Sequence, residues 1–204
     1  MHTSGVGNRH EHVHVLPVSG PYDVVPREVI DQGIVERYGS AAPLLDHLGS
    51  AIRAARSSDL PIIYVTVRFR EGYPEISARN RMFAAIRQAG AAMSETSAAT
   101  DIHPAVAPRP GDIVVTKRRV GAFTGSDLEV VLRAQNIDHL ILTGIATSGV
   151  VLSTLRAAAD MDYRLTVLSD CCADGDDEVH RVLLTKVFPR QVDVLTAAEW
   201  AAAL

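Results

Sequence analysis

A three-layer α/β/α domain on a doubly wound, mainly parallel sheet of about six strands is what this sequence predicts. Apolar runs of strand length alternate with helix-patterned segments along most of the chain, the rhythm of parallel strands joined by right-handed crossovers. One of those runs, residues 61–67, is continuous and β-branched rather than alternating, as expected for a strand buried on both faces. Aromatic residues make up only 5% and alanine is abundant, which favours helices on a sheet over an all-β sandwich.

The elements follow in order. Residues 1–11 are polar and His-rich and are expected to form a disordered N-terminal segment, leaving 12–204 as one domain. Residues 12–18 predict a first strand that Pro17 and the following Ser19-Gly20-Pro21 break early. Ser40 is placed to cap a helix with Pro43 in its first turn and Leu44, Leu45, Leu48, Ile52 and Ala55 at helical spacing. After the strand 61–67, a polar crossing from 68 to 111 has room for a helix over 79–89; loops of this length are usually functional or partly disordered. Residues 112–116 predict a third strand. Ser126-Asp127-Leu128-Glu129 reads as a capping box opening a helix through Ala134. A fourth strand, 139–143, ends in Gly144, and a helix over 148–161 carries Val151, Leu155, Ala158 and Met161 on one face. A strand over 165–168, a helix over 176–187, a strand over 192–195 and a short alanine-rich helix close the chain.

Charge and composition exclude several classes. The formal net charge is −4 with no global basic field, so nucleic acid is not an expected partner. No apolar run approaches the roughly 18 residues a membrane span needs, and residues 1–11 lack a signal-peptide apolar stretch, so a cytoplasmic protein without membrane contact is expected. The two cysteines, Cys171 and Cys172, are neighbours and read as reduced thiols.

In a sheet of this kind ligands bind at the carboxyl ends of the strands near the point where strand order reverses. That rule selects 19–23, 68–70, 117–119, 144–150 and 170–172. Lys117, Arg118, Arg68 and Arg70 would place several positive charges around one crevice, with Tyr22 and Phe123 beside them. A helix start near Ser148 would add backbone donors, so a small anionic molecule is the natural ligand. The other reading is that these arginines pair with Asp112, Asp127 or Glu71. Cys171 reads first as apolar filler, Ser148 as a helix cap, and His103 and His180 as structural or exposed groups. The histidines at 10, 12 and 14 precede or begin a strand; no metal and no cofactor is expected.

Val114-Val115-Thr116-Lys117-Arg118-Arg119-Val120-Gly121-Ala122-Phe123, followed by Leu142-Thr143-Gly144-Ile145-Ala146-Thr147 and then Val151 and Thr154, resembles the isochorismatase-like cysteine hydrolase superfamily over almost the whole chain. The resemblance implies an Asp at the end of the first strand, a Lys after the third and a Cys at the start of the helix after the fourth. Lys117 matches the Lys. The Cys position falls on Val150, three residues after Thr147. The Asp position falls on Ser19 if Ser19-Gly20-Pro21-Tyr22-Asp23 is the matching register, or on Asp31 if Val29-Ile30-Asp31-Gln32-Gly33 is, and Asp23 or Asp31 could still reach the site. The resemblance further implies that Ile145, Ala146, Thr147, Gly149 and Val150 line the site, with a cis Ile145–Ala146 peptide bond. A homodimer or homotetramer is expected. The candidate catalytic set is therefore Lys117, Ser19, Asp23 and Asp31.

Valine has no nucleophile, so the thiolate route is closed unless another thiol replaces it. True isochorismatases, which the chain resembles in lacking that cysteine, cleave a vinyl ether with a carboxylic acid as proton donor. Two functions stay open: an enzyme acting on a small carboxylate-bearing metabolite without cysteine, by hydrolysis, elimination or isomerisation, or a non-catalytic binding or assembly protein on the same fold.

Overall fold

The computed structural model describes residues 42–88, 90, 93–97 and 100–204, together with the backbone of residues 13–19. The segment 1–11, the Ser40 cap and the candidates Tyr22, Asp23 and Asp31 lie outside the described residues. Six strands form one sheet: β1 Val13–Ser19, β2 Ile63–Val67, β3 Ile113–Lys117, β4 His139–Ile145, β5 Arg164–Ala173 and β6 Asp193–Leu195. Their order is β3-β2-β1-β4-β5-β6 and every pairing is parallel. Helices α1 Ala42–Ser57, α2 Arg81–Gln88, α3 Leu128–Ala134, α4 Leu152–Asp160, α5 Asp177–Val182 and α6 Ala197–Ala201 supply the crossovers and the C-terminal cover.

The strand order reverses between β1 and β4, which is where a doubly wound sheet opens its crevice. Ser19 closes β1 in register with Ile145, the last residue of β4. The strand thus runs past Pro17, which stands opposite Thr143 and contributes no N–H to the ladder.

Apolar spacing explains how the two faces are covered. Leu48, Ala51, Ile52 and Ala55 recur at helical intervals on α1 and are buried with Tyr64, Ile141, Leu168, Cys171 and, from α6, Trp200. On the opposite face Leu128 and Leu132 of α3 and Leu155 and Ala158 of α4 pack on Ile63, Val65, Leu140, Leu142 and Val167. Successive residues of β2, Ile63 and Tyr64, enter different clusters, as the strand's period of two requires.

Several boundaries differ from those the sequence predicts. The crossing after β2 is pinned rather than loose. Phe69 donates its N–H to Met93 O at 2.8 Å, accepts from Glu95 N at 2.8 Å, and meets the Phe83 ring edge-on at a centroid distance of 5.4 Å. The expected capping box at 126–129 does not form: Asp127 is the N-cap without a side-chain bond, Ser126 Oγ accepts the Leu128 N–H at 3.3 Å, and Glu129 instead accepts from Arg133 at 2.8 Å. A glutamate on the first turn has a basic partner one turn on, and that pair competes with the box. The helix expected over 148–161 begins as a π-turn, Thr147–Val151, before α4. β5 extends to Ala173, so both cysteines lie within a strand.

Candidate active site

Lys117 is the last residue of β3 and is fully buried. A buried ammonium must be met by acceptors, because desolvating it alone is expensive. The chain supplies them immediately: Nζ donates to the carbonyls of Arg119 at 3.1 Å and Val120 at 2.8 Å, as the backbone curls over the lysine.

That same curl carries the lysine to the turn after β4. A methyl placed on Gly149 would stand 4.0 Å from Val120 Cγ1 and 3.8 Å from Ala146 Cβ. Both are ordinary contacts, so the glycine has room. Thr154 Oγ1 accepts the Ala122 N–H at 3.1 Å, fixing the segment after β3 against the first turn of α4. Lys117 and the turn 145–150 are therefore neighbours, held by Val120 and Thr154. The Ile145–Ala146 bond is cis, as the resemblance implies.

Val150 sits in the π-turn with no exposed surface, inside the apolar cluster that contains Leu142 and Leu155. Phe123 packs against that cluster, with its ring 6.1 Å from the ring of Tyr163. Gly149 donates its N–H to Ala146 O at 3.1 Å. At the neighbouring strand end, Thr66 is 2% exposed and its Oγ1 has no hydrogen-bond partner among the described residues. Because Val65 pairs with Val18, Thr66 lies one register step on, alongside the end of β1. An orphaned buried hydroxyl next to a sheet's switch point is a polar feature the core does not need.

The arginines do not gather as unshielded charge. Arg68 reaches Asp101 at 3.1 Å, Arg70 reaches Glu75 at 2.6 Å, and Arg118 contacts both Glu75, at 3.4 Å, and Glu95. Glu75 is pushed up by burial, yet its own backbone N–H, Arg70 and Arg118 hold its carboxyl below the ordinary 4.5. The pairing that the sequence allows is realised, with Glu75, Glu95 and Asp101 as partners rather than Asp112, Asp127 and Glu71. Asp112 instead takes Arg56 at 2.5 Å.

Sequence reasoning missed a polar network on the other side of the turn. Thr147 is fully buried; its Oγ1 lies 3.0 Å from Ala173 O and 2.8 Å from His180 Nδ1. The next residue, Ser148, donates its backbone N–H to Asp174 Oδ2 at 2.5 Å, and Asp174 Oδ1 accepts from Gly175 N at 2.8 Å. Ser148 therefore does not cap the turn, whose N-cap is Ala146. Burial holds the His180 ring below its ordinary pKa of 6.5, although Asp174 and Asp177 pull it upward. The signal available in the sequence was Asp174 at the end of β5 followed six residues later by His180, a spacing that brings the first turn of α5 back over the strand end.

Both thiols are poor nucleophiles. Burial, then Asp170 and Cys172, raise Cys171 far above the ordinary thiol range, and burial pushes Cys172 up to about 12.

The Isochorismatase domain family profile matches residues 24–199. Over 87 residues, 43% of this chain and 46% of the relative, the sequence is 41% identical to the uncharacterized isochorismatase family protein YwoC of Bacillus subtilis. It is 31% identical to the ureidoacrylate amidohydrolase RutB of Caulobacter vibrioides over 159 residues, 72% of this chain and 71% of that one. The crystal structure of a cysteine hydrolase from Pseudomonas syringae superposes with a TM-score of 0.80 over 94% of this chain and 91% of that one, at 21% identity, a likeness of fold alone.

Proposed function

The chain belongs to the isochorismatase family, and from that premise we propose that it is a hydrolase-like enzyme acting on a small carboxylate-bearing metabolite without a cysteine nucleophile. The observation that carries this reading is Val150. It occupies the turn position at which the resemblance calls for the nucleophilic Cys, and its side chain is enclosed in apolar core. Neither Cys171 nor Cys172 substitutes for it, since both are buried in β5 with raised pKa values.

What persists beside that turn is the buried ammonium of Lys117. In this reading Lys117 stabilises negative charge developing on the substrate, and a carboxylic acid moves the proton. Ser19 ends β1, the position at which the resemblance calls for the Asp, so the acid in this reading is a carboxylate from the following segment, Asp23 or Asp31. A serine hydroxyl is far too weak an acid to replace it. The Thr66 hydroxyl beside the end of β1, without a hydrogen-bond partner among the described residues, supports a polar ligand there. The likeness to RutB, named for a substrate that carries a carboxylate, supports the substrate class.

The test is turnover of a panel of small carboxylates bearing amide, ureido or enol-ether groups, followed by mass spectrometry. Activity is expected to survive iodoacetamide, to persist in Ser19→Ala, and to fall at least about a hundredfold in Lys117→Met and in one of Asp23→Asn and Asp31→Asn. Inactivation by alkylation would restore a cysteine mechanism. Loss in Ser19→Ala with both aspartate variants intact would exclude a carboxylic acid from the following segment. One observation favours a second, non-catalytic reading: Arg70 and Arg118 are neutralised by Glu75 and Glu95 instead of awaiting a substrate. Failure of the whole panel would select it.

A further inference from the structure

One groove collects side chains that the fold itself leaves without use. It has a volume of about 790 Å³ and runs from β3 to the start of α3, with Val114, Thr116, Arg119, Asp127 and Val130 in its wall. That size falls within the roughly 300–1,000 Å³ of small-molecule sites. The groove is separate from the Lys117 site: Thr116 lines it, and the next residue of the strand is turned to the other side and buried.

The Arg119 guanidinium is fixed by two main-chain carbonyls, donating to Arg118 O at 2.6 Å and to Glu75 O at 3.1 Å, and it meets no carboxylate among the described residues. A guanidinium carries five N–H donors, so most of them remain to be used. The other arginines of the groove differ: Arg70 and Arg118 are neutralised by Glu75 and Glu95, so the uncompensated positive charge is that of Arg119. Asp127 is its opposite. An aspartate at an N-cap ordinarily accepts from its own helix. The Asp127 carboxylate makes no such bond, and it has no ion pair among the described residues. Val114, 46% exposed, and Val130, 70% exposed, are two of the four large apolar side chains that stand exposed among the described residues, and both line this groove.

A cation, an anion and an apolar wall in one groove match the three parts of a free α-amino acid with an aliphatic side chain, and we propose that the groove binds such a molecule. The ligand carboxylate accepts from Arg119, whose planar donor fork suits a carboxylate. The ligand ammonium donates to Asp127. The aliphatic side chain packs against Val114 and Val130 and covers apolar surface that the chain leaves open to water. A simple carboxylate would set a like charge beside Asp127, and a simple amine would do the same beside Arg119, so the zwitterion is the ligand that both charges favour.

Titration of the full chain with L-leucine, followed through its backbone amides by nitrogen-15 NMR, tests this, with N-acetyl-leucine, leucinamide and glycine as probes that each lack one part. Leucine at millimolar concentration should give saturable shifts in the amides of 114–119 and 124–130, and each of the other three probes should bind at least about tenfold more weakly. Arg119→Gln and Asp127→Asn should each weaken leucine binding about tenfold or more and leave the amide spectrum away from the groove unchanged. Absence of saturable leucine shifts overturns the proposal. N-acetyl-leucine or leucinamide binding as tightly as leucine overturns it too, as does undiminished leucine binding in either variant. Should Arg119→Gln disturb the fold by releasing the two carbonyls, the probe series on the unaltered chain decides the matter alone.

Discussion

Replacing Thr147 by valine keeps the shape of a fully buried side chain and deletes only its hydroxyl, so the polar network beside the turn can be weighed directly. The hydroxyl has one hydrogen and serves two neighbours, Ala173 O at 3.0 Å and His180 Nδ1 at 2.8 Å. The carbonyl can only accept, so the hydroxyl hydrogen goes there, and the histidine must donate from Nδ1–H to Oγ1. Two hydrogen bonds are lost in Thr147→Val at a net value of about 1 kcal/mol each, for a destabilisation of about 2 kcal/mol. Thr147→Ser keeps both bonds and gives up one methyl, costing about 1 kcal/mol. Thr147→Ala loses bonds and methyl together, costing about 3 kcal/mol.

For a domain of this size the valine variant should melt about 4–8 °C below the parent. Urea unfolding of Thr147→Val, His180→Ala and the double variant should give a coupling of about 1 kcal/mol. Nitrogen-15 shifts of the His180 ring should report the Nδ1–H tautomer. A valine variant within about 0.5 kcal/mol of the parent, or additive single and double variants, would refute the network as a stabilising unit.

Two further outcomes follow from the same side chains. Because burial lowers the pKa of His180 in the folded state, the unfolded chain binds more protons around and below the ordinary value of 6.5. The contribution is fully present above that value and is lost as pH falls toward the folded pKa, so the melting temperature should decline on acidification, and less steeply in His180→Asn. An identical decline in the variant would remove His180 as a source. For the thiols, a shift of Cys172 from 9.0 to about 12 leaves about a thousandfold less thiolate at pH 8 than a free cysteine has. Ellman's reagent should therefore leave both thiols unmodified in the native protein and titrate both after unfolding; rapid native reaction of either would contradict their enclosure.

The sheet was legible because its strands are written in apolar runs and turn residues. Residues 61–67 point to a strand buried on both faces, and β2 lies inside the sheet. Lys117 could be placed because it ends such a run. The elements misread are those whose outcome depends on a distant partner. Ser126 and Glu129 have the spacing of a capping box, but Ser126 donates to Ala122 O and Glu129 pairs with Arg133, so the local pattern was outcompeted. The arginines after β2 and β3 formed a cationic cluster on paper. Glu75 and Glu95, from the long crossing, could be assigned to them only once the Phe69–Phe83–Met93 cluster had folded that crossing back. The Thr147–His180 contact joins residues 33 apart through two chain reversals, and no periodicity encodes it.

The same dependence bears on what the turn after β4 can do. Two main-chain carbonyls accept from Lys117 Nζ, and the segment that provides them is fastened to α4 through Thr154 Oγ1 and the Ala122 N–H. Substitution at Val150 changes what occupies the middle of the turn without removing any of these polar contacts, since valine contributes only to the apolar cluster. Those two carbonyl contacts do not pass through the Val150 side chain, so Val150→Ala is expected to leave a void in the apolar cluster while keeping them in place.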